Sequence, residues 1–138
     1  MAKKRILIVE DNIGDQLLIE EIFNRRDPEL ELRFYKDGQE ALTFLELLEK
    51  GEEEFNADLI TLDINLPKVD GFGLLGFIKG SAKLKAITVA IFSTSSYYLD
   101  KRKALDLGAD VFITKPSSFA EYRKVLNDLY DSKFADPS

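Results

Sequence analysis

The sequence predicts an α/β fold, a doubly wound parallel sheet of five strands with helices on both faces. Three observations carry this. Strand and helix patterns alternate five times along 138 residues, and alternation at that spacing implies parallel strands joined by right-handed crossovers. Four of the five strand segments are near-continuous apolar runs, as expected of strands covered on both faces. At roughly 150 residues per domain, the length allows one domain with one core.

The elements follow in chain order. Arg5–Glu10 holds the run Ile6-Leu7-Ile8-Val9 and reads as the first strand. Asp15–Arg26 places Leu18, Ile19, Ile22 and Phe23 at helical spacing, with Pro28 beyond its end. Glu31–Lys36 alternates polar and apolar residues, which suits an edge strand with one wetter face. Gly38–Lys50 aligns Ala41, Phe44, Leu45 and Leu48 and stops at Gly51. Ala57–Leu62 and Ile87–Phe92 are apolar strands, and Asp110–Thr114 is the fifth. Between them, Gly71–Lys79 is a helix weakened by Gly71, Gly73 and Gly76, since an interior glycine costs about 1 kcal/mol relative to Ala. Tyr97–Leu107 forms a fourth helix with Gly108 as its C-terminal stop. Phe119–Asp131 repeats Tyr122, Val125, Leu126 and Leu129 as the fifth helix, and 132–138 reads as a short frayed tail. Phe119, Tyr122 and Tyr130 are expected in the core, and Tyr97 and Tyr98 are expected to pack.

Composition removes several function classes. The chain has no Cys and no His, so disulfides, thiolate or imidazole metal sites and histidine bases are excluded. Lys and Arg number 19 against 25 Asp and Glu, a net charge of −6, which disfavours a nucleic-acid backbone binder. No apolar run approaches the roughly 20 residues of a membrane span. The basic start Met1–Arg5 is followed by too short an apolar run for a signal peptide, so a cytoplasmic protein is expected.

In an open α/β sheet, ligands bind beyond the carboxyl ends of the strands. Glu10, Asp11 and Asn12 follow strand one; Asp63, Ile64 and Asn65 end strand three; Ser93, Thr94, Ser95 and Ser96 follow strand four; Lys115 and Pro116 end strand five. Glu10, Asp11 and Asp63 would converge, and like charges that close call for a bound cation or a proton. An all-oxygen carboxylate site suits Mg²⁺. Lys115 and Ser93 add the groups that hold phosphoryl oxygens, and a carboxylate can itself accept a phosphoryl group. Asp63, which ends a central strand, is the best acceptor candidate. Taken singly, Asp11 is as readily a helix cap, Lys115 a salt-bridged lysine and Ser93 a satisfied hydroxyl; the joint placement at four strand ends is what points to a site.

These residues carry a resemblance. The stretches Ile6–Asn12, Leu62–Pro67, Asp70-Gly71, Ser93-Thr94, Gly108–Asp110 and Lys115-Pro116 together resemble a receiver domain of a two-component response regulator, over essentially the whole chain. The Glu10-Asp11-Asn12 opening is most similar to stand-alone, chemotaxis-regulator-like receivers, including phytochrome-associated ones. The resemblance implies a flavodoxin-like strand order 2-1-3-4-5, with the receiver over residues 1–131 and nothing left over for an effector. It implies Asp63 as phosphoacceptor, and Mg²⁺ held by Glu10, Asp11, Asp63 and the backbone carbonyl of Asn65. It makes Ser93 the switch hydroxyl, Phe112 the switch aromatic and Lys115 the phosphate-binding lysine. Asn65 and Ser95 match positions that tune the lifetime of the phosphoryl group, and the Lys115–Pro116 bond would be cis. Ser93 stands where Thr is commoner, and Phe112 where Tyr is commoner. The implied partners are a sensor histidine kinase or phosphotransfer protein and an unidentified downstream protein, with neither nucleic acid nor membrane, and with the chain a monomer or a homodimer.

Phosphorylation would draw in Ser93, let Phe112 fill the space it leaves, and change the face made by the fourth helix, fifth strand and fifth helix. With no His, the chain can only be the acceptor half of such a relay. Two other readings fit the sequence less well. A phosphatase or phosphotransferase of the haloacid-dehalogenase type needs a second Asp two residues after the nucleophile, and Asn65 stands there. A degenerate receiver acting as a binding module conflicts with the intact Glu10, Asp11, Asp63, Ser93 and Lys115 set. Gly71–Gly76 matches G-x-G-x-x-G, but it follows a loop rather than a strand and no acid lies between Asp70 and Asp100, so dinucleotide binding is rejected.

Overall fold

The computed structural model describes residues 3–135; Met1 and Ala2 of the basic start and residues 136–138 of the tail lie outside the described residues. The strands are β1 Arg5–Val9, β2 Glu31–Tyr35, β3 Leu59–Leu62, β4 Thr88–Ser93 and β5 Val111–Thr114. The helices are α1 Ile13–Arg26, α2 Gly38–Lys50, α3 Gly71–Gly80, α4 Tyr98–Asp106 and α5 Phe119–Phe134. All pairings are parallel, in the order β2-β1-β3-β4-β5. This is the expected flavodoxin-like sheet.

Alternation along β1 sorts the two core layers. Ile6 and Ile8 face α1 and α5, joining Ile19, Ile22, Phe23, Tyr122, Leu126 and Leu129. Leu7 and Val9 face the other side, with Ala41, Phe44, Leu45, Leu74, Leu75 and Ile78 of α2 and α3. Both clusters are fully enclosed, which is why the central strands read as unbroken apolar runs. Strand β2 lies at the edge of the sheet as expected, but it is half-buried throughout rather than on one face only.

Four expectations are corrected. Helix α5 continues through Ser132, Lys133 and Phe134, because Phe134 stacks on Tyr130 at 5.0 Å and Arg26 pairs with Asp131. Strand β3 begins at Leu59 rather than Ala57, because the Asp58 carboxylate caps the start of β1 by accepting from the Arg5 amide at 2.9 Å. Phe119 is not core but 53% exposed, on the first turn of α5. Tyr97 and Tyr98 do not pack either, at 59% and 66% exposed.

The glycine-rich helix α3 divides in two by environment. Gly71 is pressed onto the loop after β3: a Cβ there would lie 2.2 Å from the Asp63 carbonyl oxygen. Gly76 meets nothing within 4 Å. Gly76→Ala therefore removes backbone freedom from the unfolded chain without a clash. It is expected to stabilise the protein by about 0.5–1 kcal/mol in urea unfolding.

Candidate active site

All five strands run the same way, so their carboxyl ends share one edge of the sheet, and each βα turn there delivers its polar residues to one place. Glu10 follows β1 and is buried at 2% exposure. Its amide donates to the Tyr35 carbonyl at 3.0 Å, and its carboxylate accepts from the Asn12 amide at 3.1 Å. Asn12, not Asp11, caps α1: its side chain accepts from the Asp15 amide at 2.9 Å. Asp11 is thus exposed and not used as a cap. Asp63 follows β3, is buried, and accepts from the Asn65 amide at 3.1 Å. Ser93 ends β4 fully buried, its hydroxyl accepting from the Ser95 amide at 3.3 Å. Lys115 follows β5, its amide donating to the Ser93 carbonyl at 2.7 Å.

The Lys115 ammonium is the hub. It lies 2.6 Å from Glu10 Oε1, 3.1 Å from Asp15 Oδ2 and 3.2 Å from Asp63 Oδ2, with only 5% of its side chain exposed. Carboxylate oxygens of Glu10, Asp11 and Asp63 come within 4.8 Å of one another. Two buried carboxylates and one exposed one, facing one buried cation, leave the cluster short of positive charge. The donor set, all oxygen and half open to water through Asp11, fits a hard divalent ion.

Burial pushes Glu10 up to about 7 even though Lys115 pulls the other way. Burial also opposes the charge on Lys115, but the hydrogen bond and charge of Glu10 and the charge of Asp63 outweigh it, and the lysine is held above its ordinary value. The sign for stability follows. A carboxyl raised in the folded state binds more protons folded than unfolded between about pH 4.5 and 7, so metal-free stability falls as pH rises through that window. Glu10→Gln should remove this slope, worth on the order of 1–3 kcal/mol by pH 8, in urea unfolding without metal. An unchanged slope in the variant would assign it elsewhere.

Other expected site residues are placed as follows. Asn65 is exposed beside Asp63. Ser95 turns its hydroxyl to Asp100 on α4, donating at 2.7 Å, and accepts from the Tyr97 amide at 3.2 Å. Phe112 is half-buried against the layer containing α3 and α4, in register with Ile91. The Lys115–Pro116 bond, expected cis, is trans: no described peptide bond is cis. Before proline the two forms differ by only about 0.5–1 kcal/mol, with trans the lower.

Two residues at the site were not expected. Asp15, on the first turn of α1, bridges Lys115 and the Tyr122 hydroxyl, which donates to it at 2.7 Å. Tyr122 on α5 sits at helical spacing with Leu126 and Leu129 and reads as plain core. Burial and the bond to Asp15 hold its phenol well above the ordinary value. The one sequence cue was the position of Asp15, one helical turn past the Glu10-Asp11 pair.

Comparison with known proteins gives the family of the chain. Residues 6–127 match the family model described as response regulator receiver domain. The chain is 35% identical over 124 residues to the probable methanogenesis regulatory protein FilR2 of Methanothrix harundinacea, covering 90% of this chain and 79% of that protein. It is 32% identical to response regulator Rcp1 of Synechocystis sp., covering 91% and 86% of the two chains. The Mn²⁺-bound structure of Rcp1 superimposes with a TM-score of 0.85, covering 93% and 92% of the two chains. The phosphorylated cyanobacterial phytochrome response regulator RcpA superimposes with a TM-score of 0.89 at 33% identity, covering 96% of this chain and 94% of that one. The chain belongs to the response regulator receiver domain family and is a phosphorylation-activated signalling switch.

Proposed function

We propose that Asp63 is the residue phosphorylated, with Lys115 as the phosphate-binding cation. The observation that carries this is the Lys115 ammonium held 3.2 Å from the buried Asp63 carboxylate, with Glu10 on its other side. The Asp63 carboxylate attacks phosphorus, a bond to phosphorus forms on its oxygen, and the bond from phosphorus to the donor group breaks, leaving with the donor. A divalent cation, Mg²⁺, held by Glu10, Asp11, Asp63 and the Asn65 carbonyl would supply positive charge to the phosphoryl oxygens. Lys115 neutralises the same oxygens from the β5 side, and Glu10, its partner at 2.6 Å, would be one of the residues that hold the cation.

The donor is a sensor histidine kinase or a phosphotransfer protein, since the chain itself holds no histidine. The switch hydroxyl is Ser93, the switch aromatic Phe112, and the positions governing phosphoryl lifetime are Asn65 and Ser95. Output runs through α4, β5 and α5. Tyr98, Leu99 and Leu105 of α4 are 66%, 56% and 41% exposed there, an apolar surface suited to a downstream protein or a second copy of the chain. Among the described residues no helix is long and apolar enough to cross a membrane. The test is incubation with acetyl phosphate in Mg²⁺ or in chelator. Mass spectrometry should find one phosphoryl group per chain with Mg²⁺ and none in chelator. Multiple turnover of the donor with no adduct would favour a phosphatase instead.

A further inference from the structure

Lys115 has three carboxylate partners, and one of them has no part in the site proposed above. Asp15 stands outside the Glu10, Asp11 and Asp63 cluster, and its two oxygens are divided between two donors: Oδ2 meets Lys115 at 3.1 Å, and Oδ1 accepts from the Tyr122 hydroxyl at 2.7 Å. Tyr122 is itself fixed. It is 5% exposed, and its ring packs edge-on against Phe92 at 5.1 Å. The Lys115 ammonium lies over that same Phe92 ring, 5.8 Å from its centre. A continuous chain of contacts therefore runs from α5 through Tyr122 and Asp15 to Lys115 and on to Asp63.

The three partners differ in what they must do. Glu10 and Asp63 exchange partners when a phosphoryl group arrives. Asp15 need not, because neither of its oxygens belongs to the acidic cluster. A lysine ammonium sits on a long flexible stem, so one between two exchanging partners needs a third that stays. We infer that Asp15, fixed by the Tyr122 hydroxyl, is a positioning residue that keeps the Lys115 ammonium in the pocket through the reaction and ties that lysine to α5. The inference rests on Asp63 being the acceptor.

Three substitutions separate it from a plain tie between α1 and α5. Tyr122→Phe deletes the hydroxyl and keeps the ring on Phe92. Asp15→Asn keeps the size and removes the charge. Asp15→Glu keeps the charge. The first readout uses metal-free protein: the ¹⁵N signal of the Lys115 ammonium, slowed in exchange with water by its three partners. It should be present in the wild type, lost in Asp15→Asn, weakened in Tyr122→Phe and partly recovered in Asp15→Glu. The second is the saturating rate of phosphorylation by acetyl phosphate. Tyr122→Phe and Asp15→Asn should each lower it about fivefold, and the double variant should fall little further, as expected of residues acting through one chain of contacts. The Mg²⁺ concentration for half-maximal rate should stay put. A Tyr122→Phe protein that is less stable but keeps both the ammonium signal and the rate would overturn the inference, as would additive losses in the double variant. If the wild type takes no phosphoryl group, the acceptor reading falls, and the ammonium signal alone then decides whether Asp15 anchors the lysine.

Discussion

Lys115→Ala should destabilise the metal-free protein by about 3 kcal/mol at pH 8, the low end of what removing one partner from a buried ion pair costs. The lysine is the cation shared by Glu10, Asp15 and Asp63, and the first and last of these are nearly dry. Without it, three carboxylates face one another with no compensating charge. The cost sits at the low end because Glu10, already pushed up to about 7 by burial, can escape by taking a proton. The loss should therefore shrink toward pH 5 and grow toward pH 8. A divalent cation should restore part of it, since a ligand at 100 times its dissociation constant contributes about 2.7 kcal/mol. Urea unfolding of wild type and variant, with and without Mg²⁺, measures all three trends. Against a total stability of roughly 5–15 kcal/mol the effect is large. A variant as stable as the wild type in the absence of metal would mean that the cluster is not held together by this ion pair.

Gly38→Ala should cost about 2–3 kcal/mol, the upper part of the range for forcing atoms into a packed site. The sign is not obvious, because Ala is the better helix former and Gly38 is the first residue of α2. Geometry decides it. A Cβ at Gly38 would lie 1.5 Å from the Val69 carbonyl oxygen, which is backbone and cannot swing aside. The Gly38 amide meanwhile donates to the Pro67 carbonyl at 3.1 Å. Both contacts fix the loop that leaves Asp63 and turns at Lys68, whose φ is 71°. A side chain at position 38 must push this loop off α2, so phosphorylation by acetyl phosphate should slow as stability falls. If Gly38→Ala unfolds at the wild-type urea concentration, the loop has more freedom than its contacts imply.

The parts of the molecule legible in the sequence are those written in local patterns. Helix α2 is bounded by Asp37, whose side chain accepts from the Glu40 amide, and by Gly51 at φ 76°, and its predicted limits match residue for residue. The central strands are covered on both faces and so announce themselves as apolar runs. The acidic cluster was legible because strand ends in this topology converge whatever the loops do. What was not legible depends on partners distant in the chain. The Tyr122–Asp15 bond joins residues 107 apart, and nothing near Tyr122 distinguishes it from a core aromatic. The exposure of Tyr97, Tyr98 and Phe119 is likewise a property of what the fold leaves uncovered, not of helical spacing. Helix α5 outruns its apolar repeat because its last turn is held by Arg26 and by the Tyr130–Phe134 stack.

In the proposed function, Asp63 accepts the phosphoryl group. The most direct test is intact-mass spectrometry of the wild type beside Asp63→Asn, each incubated with Mg²⁺ and acetyl phosphate. The wild type should gain the mass of one phosphoryl group, lost again on standing as an acyl phosphate hydrolyses, and Asp63→Asn should gain none. An equal gain on both proteins, or none on the wild type, would contradict the assignment.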